Sequence, residues 1–316
     1  MDLTEKQQYE LLAAISARGE IPTKFIYLNG GEQLWDKVYA QRSKNDGMAD
    51  RELDLLLSHM TSFANVFSDS KGVNLVDLGC GNGLPAVAII KQFLDRNFKV
   101  NYVAVDISPE MIKLATSKVH QEFHDLDVKS LLVDFEKESL TDELLNIKQQ
   151  SHFPNLLIDL GNTLGNHSNV ASVLTNFLES MALDDYLLIG NGLANDYNPQ
   201  RILESYEGTV KDLVTHPAKL LGLYSNEDQF KFIWNANKNR VEGRIHLNSP
   251  KSVVLANQAV ELGSDEELLV MRSDKYSESS ITKLLSEVGF RTELLTTTKT
   301  RDEIVVMVQP TRYSAS

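Results

Sequence analysis

The sequence predicts an α/β fold: a mostly parallel sheet with helices on both faces, accompanied by a discontinuous α+β domain. Three observations carry that expectation. Between residues 73 and 190, short apolar runs alternate with amphipathic segments, the pattern of parallel strands joined by crossover helices. The first strand, Val73-Asn74-Leu75-Val76-Asp77-Leu78, runs straight into the turn Gly79-Cys80-Gly81-Asn82-Gly83 and then into the apolar segment Pro85 to Leu94. After the fifth strand the pattern breaks for the stretch 196–275, and only then come a last helix and a hairpin that complete the sheet.

In chain order, residues 4–18 carry Leu11, Leu12 and Ile15 at helical spacing, and Pro22 leads into an extended aromatic stretch, Lys24-Phe25-Ile26-Tyr27. Gly30-Gly31 marks a turn, after which Leu34, Trp35, Val38 and Tyr39 share one helix face. Asp50 to Phe67 is predicted as one long helix with Leu53, Leu56, Leu57, Met60 and Phe63 inward. Strands are then expected at Asn74–Leu78, Tyr102–Asp106, Lys129–Val133, Asn155–Leu160 and Asp185–Gly190, with helices at Ala86–Leu94, Glu110–His120 and Val170–Met181. Ser108-Pro109-Glu110 opens a helix with a capping serine and a proline at its first position, so Ser108 is assigned a structural task. In the insert, Arg201–Leu213 is predicted helical, and Phe230–Trp234, Arg240–Leu247 and Ser252–Leu255 as strands. Tyr276–Val288 is a helix stopped by Gly289, and Arg291–Thr297 with Glu303–Val308 form the closing hairpin, its last strand antiparallel. The domain organisation that follows is an N-terminal piece of a substrate domain (1–65), a ligand-binding core (66–195), the inserted remainder of the substrate domain (196–275), and a C-terminal completion of the core (276–316).

Composition narrows the function. A chain of 316 residues with a 42% hydrophobic and 24% charged share has the balance of a globular protein with a sizeable core. A net charge of -13 repels phosphate backbones and acidic lipid head groups, so neither nucleic acid nor membrane is expected as a partner. Cys80 is the single cysteine, which excludes an internal disulfide and a thiolate zinc cluster and fits a reducing, cytoplasmic setting. No leader-like segment or run of about twenty apolar residues stands in the sequence. No H-E-x-x-H motif or carboxylate cluster points to a metal, and none is expected.

The chemistry concentrates in the glycine turn. Gly79, Gly81 and Gly83 lack Cβ atoms, so the turn can take positive φ and lie against a ligand toward which the amides of the next helix also point. The dinucleotide fingerprint G-x-G-x-x-G needs a third glycine at position 84, where this chain has Leu84; the spacing here is G-x-G-x-G. Asp106 ends the second strand, where a carboxylate is placed to accept both hydroxyls of a ribose. With Asp77 before the turn and Asp106 after it, the stretch resembles motif I and the following acid of class I S-adenosylmethionine-dependent methyltransferases, whose core is Rossmann-like. That resemblance implies S-adenosyl-L-methionine as cofactor. It also implies an acid and an apolar residue around the adenine after the third strand, matched by Asp134 and Phe135. The turn Gly161-Asn162-Thr163-Leu164-Gly165-Asn166 closes the fourth strand at the carboxyl edge of the sheet, where ligands bind, and Gly161 joins the cofactor set.

Further segments extend the likeness over nearly the whole chain. Lys24 to Tyr27, Leu34-Trp35-Asp36, the 161–166 turn, Glu204-Ser205-Tyr206 and Ile233-Trp234-Asn235-Ala236 resemble the histidine-specific Nα-methyltransferase family of ergothioneine biosynthesis. The resemblance implies a substrate domain assembled from the N-terminal segment and the insert. It also implies that Asn166 and Tyr206 hold the α-amino-acid end of a small substrate. An amide and a phenol suit that task, because each can donate or accept. An attacking amine must be neutral, and Tyr27, Tyr39 or Tyr206 is placed by residue type to relay its proton. The family's imidazole-reading Glu-x-Ser pair aligns with Met271 and Ser273, so the serine matches and the glutamate does not. A family methionine near the substrate side chain aligns with Gly243, and paired tyrosines before a Pro-Thr-Arg run are missing between Tyr39 and Glu52. Without the glutamate an imidazole N–H in a buried pocket lacks its acceptor, at a cost of about 1–3 kcal/mol. The expected enzyme is therefore an N-methyltransferase of an amino acid or amino-acid-like molecule other than histidine, with Met271 and an opened space at Gly243 favouring a larger or more apolar group. The rival readings are a class I O-methyltransferase or protein methyltransferase and a non-catalytic S-adenosylmethionine-binding protein.

Overall fold

The computed structural model describes residues 1–45, 48–194, 199–206 and 209–311. In chain order its elements are α1 (Glu5–Arg18), a 3-10 turn (Thr23–Tyr27), α2 (Gly31–Asn45), α3 (Met48–Ser58), α4 (Met60–Asn65), β1 (Gly72–Leu78), α5 (Leu84–Leu94), β2 (Lys99–Asp106), α6 (Pro109–Glu122), β3 (Asp127–Leu132), α7 (Thr141–Ser151) and β4 (Asn155–Asp159). A 3-10 turn (Leu164–Asn166) follows, then α8 (Val170–Ser180), β5 (Tyr186–Gly192), α9 (Pro199–Glu204), α10 (Thr209–Leu220), β6 (Phe230–Asn235), β7 (Arg240–His246), β8 (Lys251–Leu255), β9 (Gln258–Leu262), β10 (Glu267–Asp274), α11 (Glu278–Val288), β11 (Phe290–Thr297) and β12 (Glu303–Pro310). The chain divides into two compact units, one of Met1–Gln41, Gly165–Ser168 and Asp196–Lys275, the other of Arg42–Leu164, Asn169–Asn195 and Tyr276–Ser316. Residues 42–65 thus belong with the core and not with the N-terminal piece of the other unit. The expected boundary at 195–196 lies outside the described residues.

The larger unit is a sheet of seven strands in the order β3-β2-β1-β4-β5-β12-β11. Every neighbouring pair from β3 to β5 is parallel, and β12 runs antiparallel to both of its neighbours, as the closing hairpin predicted. Strand β1 is buried along its whole length because helices cover both faces. Val73 and Leu75 pack on one side with Phe63, Phe67 and Phe93, while Val76 and Leu78 pack on the other with Phe177 and Leu285. Strand order reverses between β1 and β4, which opens a crevice at their carboxyl ends. At the opposite end of these strands, a ladder of buried amides locks the register: Asn101 donates to Asn74 at 2.9 Å, and Asn74 to Asn155 Oδ1 at 3.0 Å.

Two helices here depart from expectation. The single helix predicted over 50–67 is interrupted at His59, which takes φ -109° and ψ 9°, and there Leu55 O is shared by the Ser58 hydroxyl and the His59 ring. Helix α7 was not anticipated, although Leu144 and Ile147, three residues apart, are its buried stripe among polar neighbours.

The smaller unit is α+β. Helix α1 starts on a reciprocal capping box, with Thr4 accepting from Gln7 N and Gln7 from Thr4 N, and stops at Gly19, whose φ of 57° is left-handed. It buries Leu11, Ala14 and Ile15. The chain then runs beside β10, where Ile21 N donates to Leu269 O and Leu269 N to Gly19 O. Strands β10, β7 and β6 form an antiparallel sheet in that order, and β8 with β9 makes a separate hairpin. Residues 24–27 form a 3-10 turn, not an extended segment. The helix expected over Arg201–Leu213 is divided into α9 and α10, with residues 207–208 outside the described set. No helix among the described residues is long and apolar enough to cross a membrane.

Candidate active site

In the larger unit the glycine turn follows β1 with positive φ at all three glycines: 69° at Gly79, 52° at Gly81 and 72° at Gly83. The amides of Gly79 and Cys80 both donate to Val105 O, at 2.8 and 3.2 Å, which ties the turn to the end of β2. The three glycines serve different ends. A Cβ on Gly79 would stand 3.6 Å from Thr163 Cγ2 and 4.0 Å from Phe135 Cζ, so the motif turn, the 161–163 turn and Phe135 converge there. A Cβ on Gly83 would stand 2.8 Å from Ala115 Cα, so that glycine is demanded by the close approach of α6. Asn82 Oδ1 accepts from Leu84 N at 3.2 Å and caps α5 in place of a side chain on Gly83.

The acids around the turn are held firmly. Asp106 is buried, and its Oδ1 accepts from Ser108 N at 2.9 Å. Ser108 in turn caps α6 by accepting from Met111 N, the structural task assigned to it. Asp77 is also buried and accepts from the Tyr102 hydroxyl at 2.8 Å. Burial pushes its pKa up to about 7, outweighing the Tyr102 bond, with the charges of Asp106 and Asp159 adding to the rise. Asp134 is half-buried beyond β3. Phe135 is buried, its ring 5.6 Å from that of Phe177 and its carbonyl accepting from Asn176. Gly161 has φ 77° with nothing within 4 Å of where a Cβ would stand, and its N–H donates to Glu52 Oε1 at 2.8 Å. Positive-φ glycines, open space at Gly161 and a buried carboxylate closing β2 fit a nucleoside-bearing amino-acid cofactor.

In the smaller unit three residues of the expected substrate site, Gly243, Met271 and Ser273, share one sheet face. Met271 and Gly243 are register partners across β10 and β7. Ser273, two residues on, points to the same side as Met271. The Tyr206 hydroxyl donates to Ser273 Oγ at 2.9 Å, both residues being buried. The Tyr206 ring lies 5.6 Å from that of Phe232, and Lys275 Nζ stands 5.7 Å from its centroid. The space expected at Gly243 does not exist: a Cβ there would meet Val214 at 3.1 Å, Phe230 at 3.2 Å and Met271 Cβ at 3.3 Å. Large neighbours fill the volume that a side chain at 243 would take. Next to it, Glu242 is fully buried and bonded to Arg240, Arg244 and Asn235, which holds its pKa below the usual carboxylate value despite the burial.

The remaining expected residues occupy separate elements of this unit. Asn166, half-buried, closes the 3-10 turn after β4. Its segment is pinned two residues on, where the Ser168 carbonyl accepts from Arg272 Nη1 at 3.2 Å and Arg272 pairs with the buried Glu20 at 2.5 Å. Tyr27 ends the first 3-10 turn, and Tyr39 on α2 stacks on Trp35 at 5.3 Å. Among the described residues no group of three or more His, Cys, Asp or Glu side chains is arranged to hold a metal. Sequence reasoning noted Thr163 only as part of the turn motif and passed over Glu52; the signal for Glu52 was the polar turn after β4, whose backbone amides need an acceptor.

The sheet order and the glycine turn define a methyltransferase of class I topology. A family model described as histidine-specific, S-adenosylmethionine-dependent methyltransferase matches residues 6–310, and the chain belongs to that family. It is thus an S-adenosylmethionine-dependent methyltransferase. The N-methyltransferase imqF of Aspergillus flavus is 22% identical over 309 residues, covering 90% of this chain and 79% of that protein. Ergothioneine biosynthesis protein 1 of Schizosaccharomyces pombe is 21% identical over 291 residues, covering 87% of this chain and 37% of that protein. Among solved structures, an S-adenosylmethionine-dependent methyltransferase from Clostridium acetobutylicum is 14% identical with a TM-score of 0.49, covering 88% of this chain and 99% of the other.

Proposed function

We propose that the enzyme methylates the amino group of a small amino acid or amino-acid-like molecule other than histidine. The larger unit holds S-adenosylmethionine through Gly79, Gly81, Gly161, Asp106, Asp134 and Phe135, with Asp77 and Gly83 shaping the turn. The cofactor supplies a methyl group already activated on a sulfonium. What the protein supplies is position and a neutral amine. Asn166 and Tyr206 hold the amino-acid end of the substrate, and Ser273, bonded to Tyr206, fixes the phenol's orientation. Tyr27 and Tyr39 line the same substrate, and a tyrosine hydroxyl relays to solvent the proton that the amine must lose before it attacks, giving up its own proton as it accepts one.

The observation that carries the exclusion of histidine is Met271. It occupies the strand face beside Ser273 and is buried against Gly243, so the position offers a thioether where an imidazole N–H needs an acceptor. Glu242, the nearest carboxylate on the neighbouring strand, is committed to two arginines and an asparagine. An apolar or aromatic side chain is favoured by a wall of Met271, Phe230, Phe232 and Val214. The reading is tested by thermal shift of the protein with S-adenosylhomocysteine against a panel of amino acids and biogenic amines. Amino acids with apolar or aromatic side chains are expected to raise Tm most; a panel in which histidine alone does so would defeat the proposal.

A further inference from the structure

Gly161 and Asn162 follow β4 with φ of 77° and 63°, two left-handed residues in succession. Such a pair turns consecutive backbone N–H groups toward one point and makes a concavity for an anion. Glu52 of α3 fills it. Its Oε1 accepts from Gly161 N at 2.8 Å, and the amide of Asn162 bonds the same carboxyl. Room for the carboxyl is provided by Gly190 in β5, where a Cβ would stand 2.2 Å from Glu52 Cδ. The second oxygen, Oε2, is buried and makes no hydrogen bond within the described structure. Burial first, then the charges of Glu303 on β12 and Asp159 on β4, push the pKa of this group up to about 8. The adjacent cation on α3, Arg51, is paired with Asp302 at 2.9 Å.

The turn held in this way bears on the cradle. Its third residue, Thr163, is the nearest neighbour to the missing side chain of Gly79, and Asn162 Oδ1 accepts from Gly192 N at 2.5 Å, fastening the turn to β5. We infer that Glu52 is a positioning residue for cofactor binding: seated in the Gly161–Asn162 amides, it sets the turn whose Thr163 walls the Gly79 cradle. The inference rests on the cofactor occupying that cradle, which binding to the unaltered protein tests separately from the variants.

The experiment is calorimetry of S-adenosylhomocysteine with the full chain, Glu52→Ala and Glu52→Gln, at pH 7 and pH 9, each variant checked for a cooperative melt. Glu52→Ala leaves both amides without their acceptor and should weaken binding by about tenfold or more. Glu52→Gln keeps an uncharged oxygen for Gly161 N and should stay within about threefold at pH 7. Raising the pH to 9 ionises Glu52 beside Glu303 and Asp159, so the unaltered protein should lose affinity several-fold where Glu52→Gln does not. A folded Glu52→Ala protein with undiminished affinity would overturn the inference, as would a Glu52→Gln protein with the same loss between pH 7 and 9. Should Glu52→Ala fail to fold, the pH comparison with Glu52→Gln decides alone.

Discussion

The Tyr206 hydroxyl donates to the Ser273 hydroxyl at 2.9 Å, joining the segment after α9 to β10 through two buried side chains. A pair of hydroxyls leaves the Ser273 proton available for another acceptor, so the pair can present a donor to a substrate carboxylate. Tyr206→Phe removes that arrangement and leaves a buried oxygen without its donor, at about 1–3 kcal/mol. The expected result is a fall in kcat/KM of about one to two decades, with affinity for S-adenosylhomocysteine within about threefold. Asn166→Ala should behave alike. Steady-state kinetics beside calorimetry checks both, and equal losses of substrate and cofactor binding would remove these residues from the substrate site.

Met271 and Gly243 face each other across β10 and β7, and their volumes are complementary. Met271→Glu should raise the ratio of kcat/KM for histidine to that for the natural substrate, because it returns an acceptor for an imidazole N–H. Gly243→Met, by contrast, has no space to enter, since Val214 and Phe230 are already within 3.2 Å of the first added carbon. Overpacking of this kind costs about 1–3 kcal/mol, and urea unfolding of Gly243→Met should show a loss in that range.

Two glycines of one turn should fail in different ways. Gly79→Ala adds a carbon 3.6 Å from Thr163, ordinary contact, but on the face where the cofactor is expected, so affinity for S-adenosylhomocysteine should drop by about tenfold or more with a modest loss of stability. Gly83→Ala drives the carbon to 2.8 Å from the backbone of α6 at a left-handed φ, so its main effect should be on Tm. Melting curves and calorimetry on the two variants separate ligand contact from packing. Indistinguishable behaviour would show that the turn acts only as a unit.

The pH dependence of stability has a definite sign at Asp77. Its pKa rises from 3.8 to about 7 in the fold, so between those values the folded protein holds a proton that the unfolded chain has released. Its stabilising contribution is complete below pH 3.8 and is lost as pH rises through 7. Relative to Asp77→Asn, the unaltered protein should lose up to about 1.4 kcal/mol per pH unit inside that window and nothing further well above it. Urea titrations of both proteins at pH 5, 6, 7 and 8 measure the difference; a rise with pH would mean that Asp77 is charged in the fold.

Much of the larger unit was legible because its signals are local. Apolar runs ending in Asp77, Asp106 and Asp159 mark parallel strands, and the glycine spacing after Leu78 marks the turn. The misjudged parts depend on partners distant in sequence. Lys24 to Tyr27 carries aromatic residues suited to a strand, yet it closes as a 3-10 turn whose Thr23 hydroxyl accepts from the distant Arg272 N at 3.2 Å. Strands β9 and β10 were not foreseen, and β10 is irregular between Leu269 and Met271, which breaks the alternation that would announce it. At the site, identities at Met271, Ser273 and Tyr206 were readable but their arrangement was not. At Gly243 the sequence suggests open space, because a missing side chain does not show which neighbours move in.

This family member is expected to transfer methyl groups to an amino group other than that of histidine. Incubation with S-adenosylmethionine and an equimolar mixture of amino acids and biogenic amines, followed by mass spectrometry of the products, tests it most directly. Mass gains in steps of one methyl are expected on the amino nitrogen of a compound with an apolar or aromatic side chain, with histidine left almost unmodified. Efficient trimethylation of histidine, with the other compounds untouched, would contradict it.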